Sequence, residues 1–450
     1  MPSRLARPMT AAVAGAAALA LAVPLGASAP VAVAAPAATR AAARVSTTVS
    51  VPSALKAAPF GSTRKVTVPA GWKVSVWARP KSARLLAFAP DGRLLVSRPK
   101  YGIVTRLTPN TRGRPTSSTL LRGLRQPHGL AFDGSTLYVA ESHRVSAYTY
   151  RAGQLSGRRT VLSGLSDAKS PDLKGAYAHA LKSIAVGTDH ALYVSVGSTG
   201  NVSASDRSTN PQRATILRVP PGGGRATVFA RGVRNGTGLA VAADGAVWTA
   251  VNNRDNVAYP YNRDYTGYGR SDRGKVITSY VNDHPMEPLA KLTRGRDLGW
   301  PYCNPDPDVR PGVKGTAFDY SNRPFVRDVQ SNANGAKLDC SRLKNVEQGL
   351  GAHSAPLGLS FTGSGLPGYG QGALVGVHGS WNRTPPRAPQ VAFFASANGG
   401  LGSQQTLVSG FQSASGSRWG RPVMAVQGPD RALYVSDDHA HAIYRIVPAG

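Results

Sequence analysis

One pattern recurs six times and limits what this chain can fold into. An apolar run leads into a turn containing Asp or Gly, then a second apolar run of the type "LYVS", then a polar loop. The copies are "LLAFAPDGRLLVSRPKYGIVTRL" (85–107), "GLAFDGSTLYVAESHRVSAYTY" (129–150), "SIAVGTDHALYVSVGSTGN" (183–201), "GLAVAADGAVWTAVNNRDN" (238–256), "GLSFTGSGLPGYGQGALVGVHGSWN" (358–382) and "MAVQGPDRALYVSDDHAHAIYRI" (424–446). Asp-Gly and Gly-rich turns between alternating apolar runs are hairpin chemistry. A unit of roughly 40 to 60 residues cannot cover both faces of its own sheet, so neighbours must stack on it. Radial stacking gives an all-β, six-bladed β-propeller over residues 66–450. The 50 Gly and 34 Pro fit a chain of many strands and turns. Residues 257–350 hold no copy and read as a long loop insertion rich in Pro, Asp, Asn and Tyr.

The N-terminus reads as an address. Arg4 and Arg7 precede an Ala-rich apolar run, and "AVA" at 32–34 offers a small-x-small cleavage site. Residues 1–34 are therefore expected to be a secretory signal peptide, and 35–65 a flexible leader rich in Ala, Ser, Thr and Pro. The expected location is secreted or cell-envelope, with no membrane span after signal removal. Export bears on Cys303 and Cys340, both in the insertion. A single disulfide is expected in that compartment, two buried free thiols being the alternative.

The formal charge is +30, with 53 Lys and Arg against 23 Asp and Glu. The Arg residues are scattered, without a basic helix, zinc spacing or RNA-binding signature, so no nucleic-acid partner is expected. An exported cationic protein meets an anionic cell-wall polymer or an anionic small ligand instead.

In a propeller, residues flanking equivalent strands of each copy converge on one channel mouth. Arg84, His128, His179, Arg234, Asn235, Arg418 and Arg421 each lie just before the first strand of a copy, and "HGSWNR" (His378 to Arg383) follows a strand of the fifth. His128 and His353 read as structural. A crown of Arg with a few His suits a planar polyanion, because guanidinium binds carboxylates in a bidentate fork and stacks on conjugated rings. His439 and His441, at i and i+2 on a hairpin tip, are a weak metal pair.

"HALKSIAVGTDHALYVSVGSTGN", "GVRNGTGLAVAADGAVW", "LGWPYC", "APLGLSF", "HGSWNR" and "GRPVMAV…LYVSDD" resemble, in order, soluble quinoprotein sugar dehydrogenases of the sorbosone and pyranose dehydrogenase branch. The likeness covers about residues 66–448. It implies pyrroloquinoline quinone with Ca²⁺ over the channel, a sugar substrate oxidised by hydride transfer, and an external electron acceptor. It further implies His179 as base and Arg234 as the stabiliser of charge on the quinone oxygen. Asn235, Arg84, His378, Arg383, Arg418 and Arg421 fall on the cofactor side, and the loop at Asn253 and Arg254 on the Ca²⁺ side. Trp381 would pack or stack on sugar. The chain departs from the glucose-oxidising branch at Ala178, where that branch has an acidic residue. Two other readings stay open: a non-catalytic propeller binding cell-wall glycan, and a metal-dependent lactonase. The lactonase needs converging carboxylates, whereas the converging edges here are cationic.

Overall fold

The computed structural model describes residues 43–110 and 113–449. The expected signal peptide, 1–34, lies outside the described residues.

Each sequence copy becomes an antiparallel hairpin, and in four of them an Asp shows why. The carboxylates of Asp91, Asp189, Asp244 and Asp430 accept the backbone N–H two residues on, at 3.0–3.3 Å. The residue following each Asp takes positive φ: Gly92 at 78°, His190 at 60°, Gly245 at 81° and Arg431 at 63°. That combination closes a tight hairpin and fixes its register.

The hairpins grow into six four-stranded sheets around a ring. Their innermost strands are Leu86–Phe88, Leu130–Asp133, Ser183–Val186, Gly238–Val241, Pro356–Phe361 and Pro422–Gln427. Each inner strand touches the next, and the sixth touches the first, which closes the ring. The sixth blade takes its outermost strand, Lys73–Ala78, from the N-terminal end, paired to Ala442–Val447. Ring closure thus clasps the two ends of the propeller together and leaves few free sheet edges.

Apolar side chains alternate along these strands and meet between blades. Leu86, Leu94 and Val96 of the first blade pack on Trp77, Tyr434 and Ile443 of the sixth. Trp248 and Leu289 of the fourth meet Leu359, Val375 and Phe394 of the fifth. Comparable clusters fill the other four gaps.

Two expectations are corrected. The leader is not free where it is described: Arg44–Thr48 pairs with Lys65–Pro69, and Phe60 is 3% exposed in the core of the fifth and sixth blades. Arg79 binds the carbonyls of Leu55, Ala57 and Ala58, which fastens the segment to the propeller. The insertion is not only loop either. Glu287–Leu292 and Gln348–Leu350 are the third and fourth strands of the fourth blade. Arg296–Asp297 adds a fifth strand to the third blade. Cys303 and Cys340 form a disulfide inside the insertion, as expected.

Candidate active site

Antiparallel pairing decides which loops share a mouth. Ser183 pairs with Ser195, Gly238 with Ala250, Pro356 with Val377, and Pro422 with Asp437. Residues before each first strand therefore meet residues after each second strand. This brings the loops bearing His179, Arg234, Asn235, Asn253, Arg254, His378, Arg383, Arg418, Arg421 and Arg84 to one end of the channel.

On one side stands His179. Its Nδ1 lies 3.1 Å from the Ser198 carbonyl and 2.9 Å from the Ser198 hydroxyl, which itself donates to the Gly200 carbonyl. A carbonyl can only accept, so Nδ1 carries the proton and Nε2 keeps its lone pair. Nε2 has no hydrogen-bond partner among the described residues. Burial first, and the nearby Arg234 charge second, lower the imidazole pKa to about 3. The ring is therefore neutral at working pH, with a free acceptor. Gly197 permits this placement: a Cβ there would lie 2.6 Å from the His179 Cβ and 3.2 Å from the Asn235 Oδ1.

Arg234 is 4% exposed and tightly held. It donates to the Asn201 carbonyl at 3.2 Å, the Asn201 side-chain oxygen at 3.0 Å and the Asn252 carbonyl at 3.1 Å. Asp255 lies 3.8 Å away and also pairs with His353 Nδ1 at 3.1 Å. Burial disfavours the His353 cation, but Asp255, the Val281 carbonyl and Glu287 outweigh it and raise its pKa. Glu287, fully buried, is pushed up to about 7 by desolvation and caps the backbone N–H of Asn253. Asn201, Asp255 and Glu287 form this frame unforeseen, although "GSTGN" and "NNRDN" contain the first two.

The side chains of Asn253 and Arg254 are already spoken for. Asn253 Oδ1 accepts from the Arg254 N–H at 2.9 Å, and its amide donates to Met286. The Arg254 guanidinium turns into the insertion, onto Asp328 and Gln330. A guanidinium has no lone pair for a metal, so Arg254 itself can offer Ca²⁺ only its main-chain oxygen.

Across the mouth, Asp438 organises a second cluster. It binds Arg84 at 2.8 Å and His378 Nε2 at 2.8 Å. Arg421 donates to the carbonyls of His378, at 2.9 Å, and Gly379, at 3.2 Å. Burial lowers His378 to about 4 despite the pull of Asp438. The Arg84 Nε is buried with no partner, as is the Nε2 of His128, which is 0% exposed. Arg383 and Arg418 are tied to the protein instead. Arg383 binds the Asn282 carbonyl and Asp283 at 3.1 Å each, and Arg418 binds Gln412 at 2.7 Å and the Ser380 carbonyl. They shape the "HGSWNR" loop, and Trp381 projects from it 74% exposed, not packed. His439 and His441 do not meet as a pair: the first faces the Arg418 carbonyl and the second accepts from the Ser82 N–H.

The mouth therefore combines a neutral imidazole with a free acceptor, a rigid guanidinium beside it, and an opposing Arg84–Arg421 pair with unused donors. Such a set can take a carboxylate-bearing ligand and accept a proton from a second molecule held against it.

A family model described as TrAA12-like matches residues 66–449. The pyrroloquinoline quinone-dependent pyranose dehydrogenase of Coprinopsis cinerea is 25% identical over 319 residues, covering 67% of this chain. The chain spans only 40% of that relative's length. Among solved structures, the holo form of the pyranose dehydrogenase PQQ domain from Coprinopsis cinerea superposes with a TM-score of 0.66 at 22% identity, over 85% of this chain and 96% of that one. The calcium structure of the Trichoderma reesei Carbohydrate-Active Enzymes Family AA12 protein gives 0.65 at 21% identity, over 85% and 96%. These two share the six-bladed fold. Through the match that runs along nearly the whole propeller, this chain belongs to the TrAA12-like family.

Proposed function

We propose that the protein is an exported, pyrroloquinoline quinone-dependent sugar dehydrogenase that passes its electrons to an external acceptor. The observation that carries this reading is His179: a neutral imidazole whose Nδ1–H is committed to Ser198 and whose Nε2 is free at the channel mouth. The named relative supplies the cofactor and the substrate class by likeness. The residues present suit that cofactor, because three carboxylates need cationic donors and the Arg84 Nε is a buried donor without a partner.

When bound, the quinone supplies a two-electron acceptor for hydride. Arg84, Arg421 and Asn235 hold its carboxylates and edge, with His378 shaping that side. His179 Nε2 accepts the proton of the sugar hydroxyl being oxidised. Arg234, fixed by Asn201 and Asp255, presents positive charge where negative charge develops. Main-chain carbonyls of Asn253 and Arg254 would be oxygens offered to Ca²⁺, which would supply Lewis-acid polarisation there. The exposed Trp381 gives a pyranose ring a face to stack on. Arg383 and Arg418 act through the loop they brace.

Quinone binding tests this reading without needing the correct sugar. Full-length protein is stripped of metal, supplied with Ca²⁺ and titrated with pyrroloquinoline quinone by calorimetry. Tight one-to-one binding, weakened about 10- to 100-fold in Arg84→Ala, is expected from the loss of a charge-assisted hydrogen bond. Absence of binding at micromolar cofactor returns the protein to a glycan-binding propeller.

A further inference from the structure

We propose that the insertion holds one divalent first-row transition metal of zinc-like preference, bound by His284 Nε2 and one carboxylate oxygen each of Asp306 and Asp308. The three side chains are 4%, 3% and 2% exposed, and their nearest ligand atoms all lie within 4.8 Å of one another. His284 Nε2 is 2.9 Å from Asp308 Oδ1 and 3.9 Å from Asp306 Oδ1. Ligand atoms about 2.0–2.2 Å from a shared ion can be no more than about 4.4 Å apart, so both separations fit a common centre.

Hydrogen bonding around the cluster points the same way. His284 Nδ1 faces the Tyr280 carbonyl at 2.9 Å, and a carbonyl must be given a proton. In the neutral ring, Nε2 is then a lone pair aimed at the Asp308 carboxylate, which also carries only lone pairs. Two acceptors facing each other need something positive between them. The remaining oxygens are held from outside: Asp306 Oδ2 by the Tyr261 hydroxyl and Asp308 Oδ2 by the Gly312 N–H at 3.1 Å. Asp306 Oδ1 also accepts the Asp308 N–H at 3.0 Å. Outer partners that orient each ligand toward one point are the usual company of a metal.

The charge balance agrees. Two buried carboxylates have no Lys or Arg partner among the described residues. Arg323 is adjacent, yet it donates to the main-chain carbonyls of Asp306 and Asp308 and turns its charge to Asp319 at 3.8 Å. Even a protonated His284 leaves one net negative charge buried, whereas a divalent ion with neutral His284 leaves none. One imidazole and two carboxylates are too few oxygens for Ca²⁺ and suit Zn²⁺.

The site would also brace the mouth, because residues 281–284 receive His353 at the Val281 carbonyl and Arg383 at Asn282 and Asp283. The proposal stands whether or not the protein oxidises sugar.

Full-length protein is stripped with chelator, refilled with excess Ca²⁺, exposed to Zn²⁺ or Co²⁺ and gel-filtered before elemental counting. One equivalent of zinc per chain should remain, the cobalt form should show visible d–d bands, and the melting temperature should rise on loading. His284→Gln and Asp308→Asn should each lose the retained metal and the bands. Stripped wild type that retains no zinc and melts unchanged overturns the proposal, leaving an imidazolium ion pair. This outcome does not depend on the variants folding. Zinc retained undiminished by both folded variants places the metal elsewhere and overturns it too.

Discussion

The carbonyl oxygen of Ser198 lies 3.1 Å from His179 Nδ1, and this contact places the ring proton on that nitrogen. It fixes the tautomer, leaves Nε2 as the acceptor and sets the ring's orientation. His179→Gln keeps a similar size but no proton acceptor of that kind. Its kcat should fall by about 100- to 10,000-fold with quinone affinity little changed. Ser198→Ala keeps the carbonyl and should retain most activity. Steady-state kinetics beside cofactor titration decides this, and equal losses in the two variants would contradict the tautomer argument.

His378 predicts a pH signature. Burial holds its folded pKa at about 4, below the ordinary value of 6.5. The unfolded chain thus binds an extra proton between pH 6.5 and 4, and wild type loses stability as pH falls through that window. The slope is up to about 1.4 kcal/mol per pH unit. His378→Gln lacks this term. Its stability deficit against wild type should be full above pH 6.5 and shrink toward pH 4. Urea melts at pH 7 and 4.5 measure the gap, and an equal gap at both contradicts the assignment.

Trp381 is 74% exposed, so its removal should hardly alter stability. If the indole stacks on sugar, Trp381→Ala should raise KM about 2- to 10-fold and leave quinone binding intact. A drop in cofactor affinity instead would place the indole over the quinone.

The disulfide between Cys303 and Cys340 spans a sequence separation of 37. Loop-closure entropy puts its contribution at roughly 3–4 kcal/mol. Cys303→Ser with Cys340→Ser should lower denaturant stability by about that amount. A loss under about 1 kcal/mol would mean that Asp328, Asn332 and the strands of the fourth blade already order the insertion without it.

The blades were legible because each hairpin carries its own Asp- or Gly-containing turn and apolar runs on either side. Glu287–Leu292 has no such turn before it, so two strands of the fourth blade were hidden in what read as loop. The segment around Phe60 has a disordered composition, yet it is ordered by partners far along the chain, Trp419 and Tyr444. Such tertiary contacts leave no local pattern. At the mouth, the cations were legible from their fixed place before each first strand. Their acidic partners were not: Asp255 and Asp438 follow second strands, and pairing becomes visible only when the ring closes. An acidic residue soon after the "LYV" or "VWT" run was the available signal.

The central claim is tested most directly by turnover. Full-length protein, stripped and then reconstituted with pyrroloquinoline quinone and Ca²⁺, is mixed with an artificial electron acceptor and a panel of aldoses and sugar aldehydes. The account predicts acceptor reduction that requires quinone and sugar together and disappears in His179→Ala. Quinone-dependent reduction that survives unchanged in His179→Ala, or no reduction with any sugar at saturating cofactor, would contradict it.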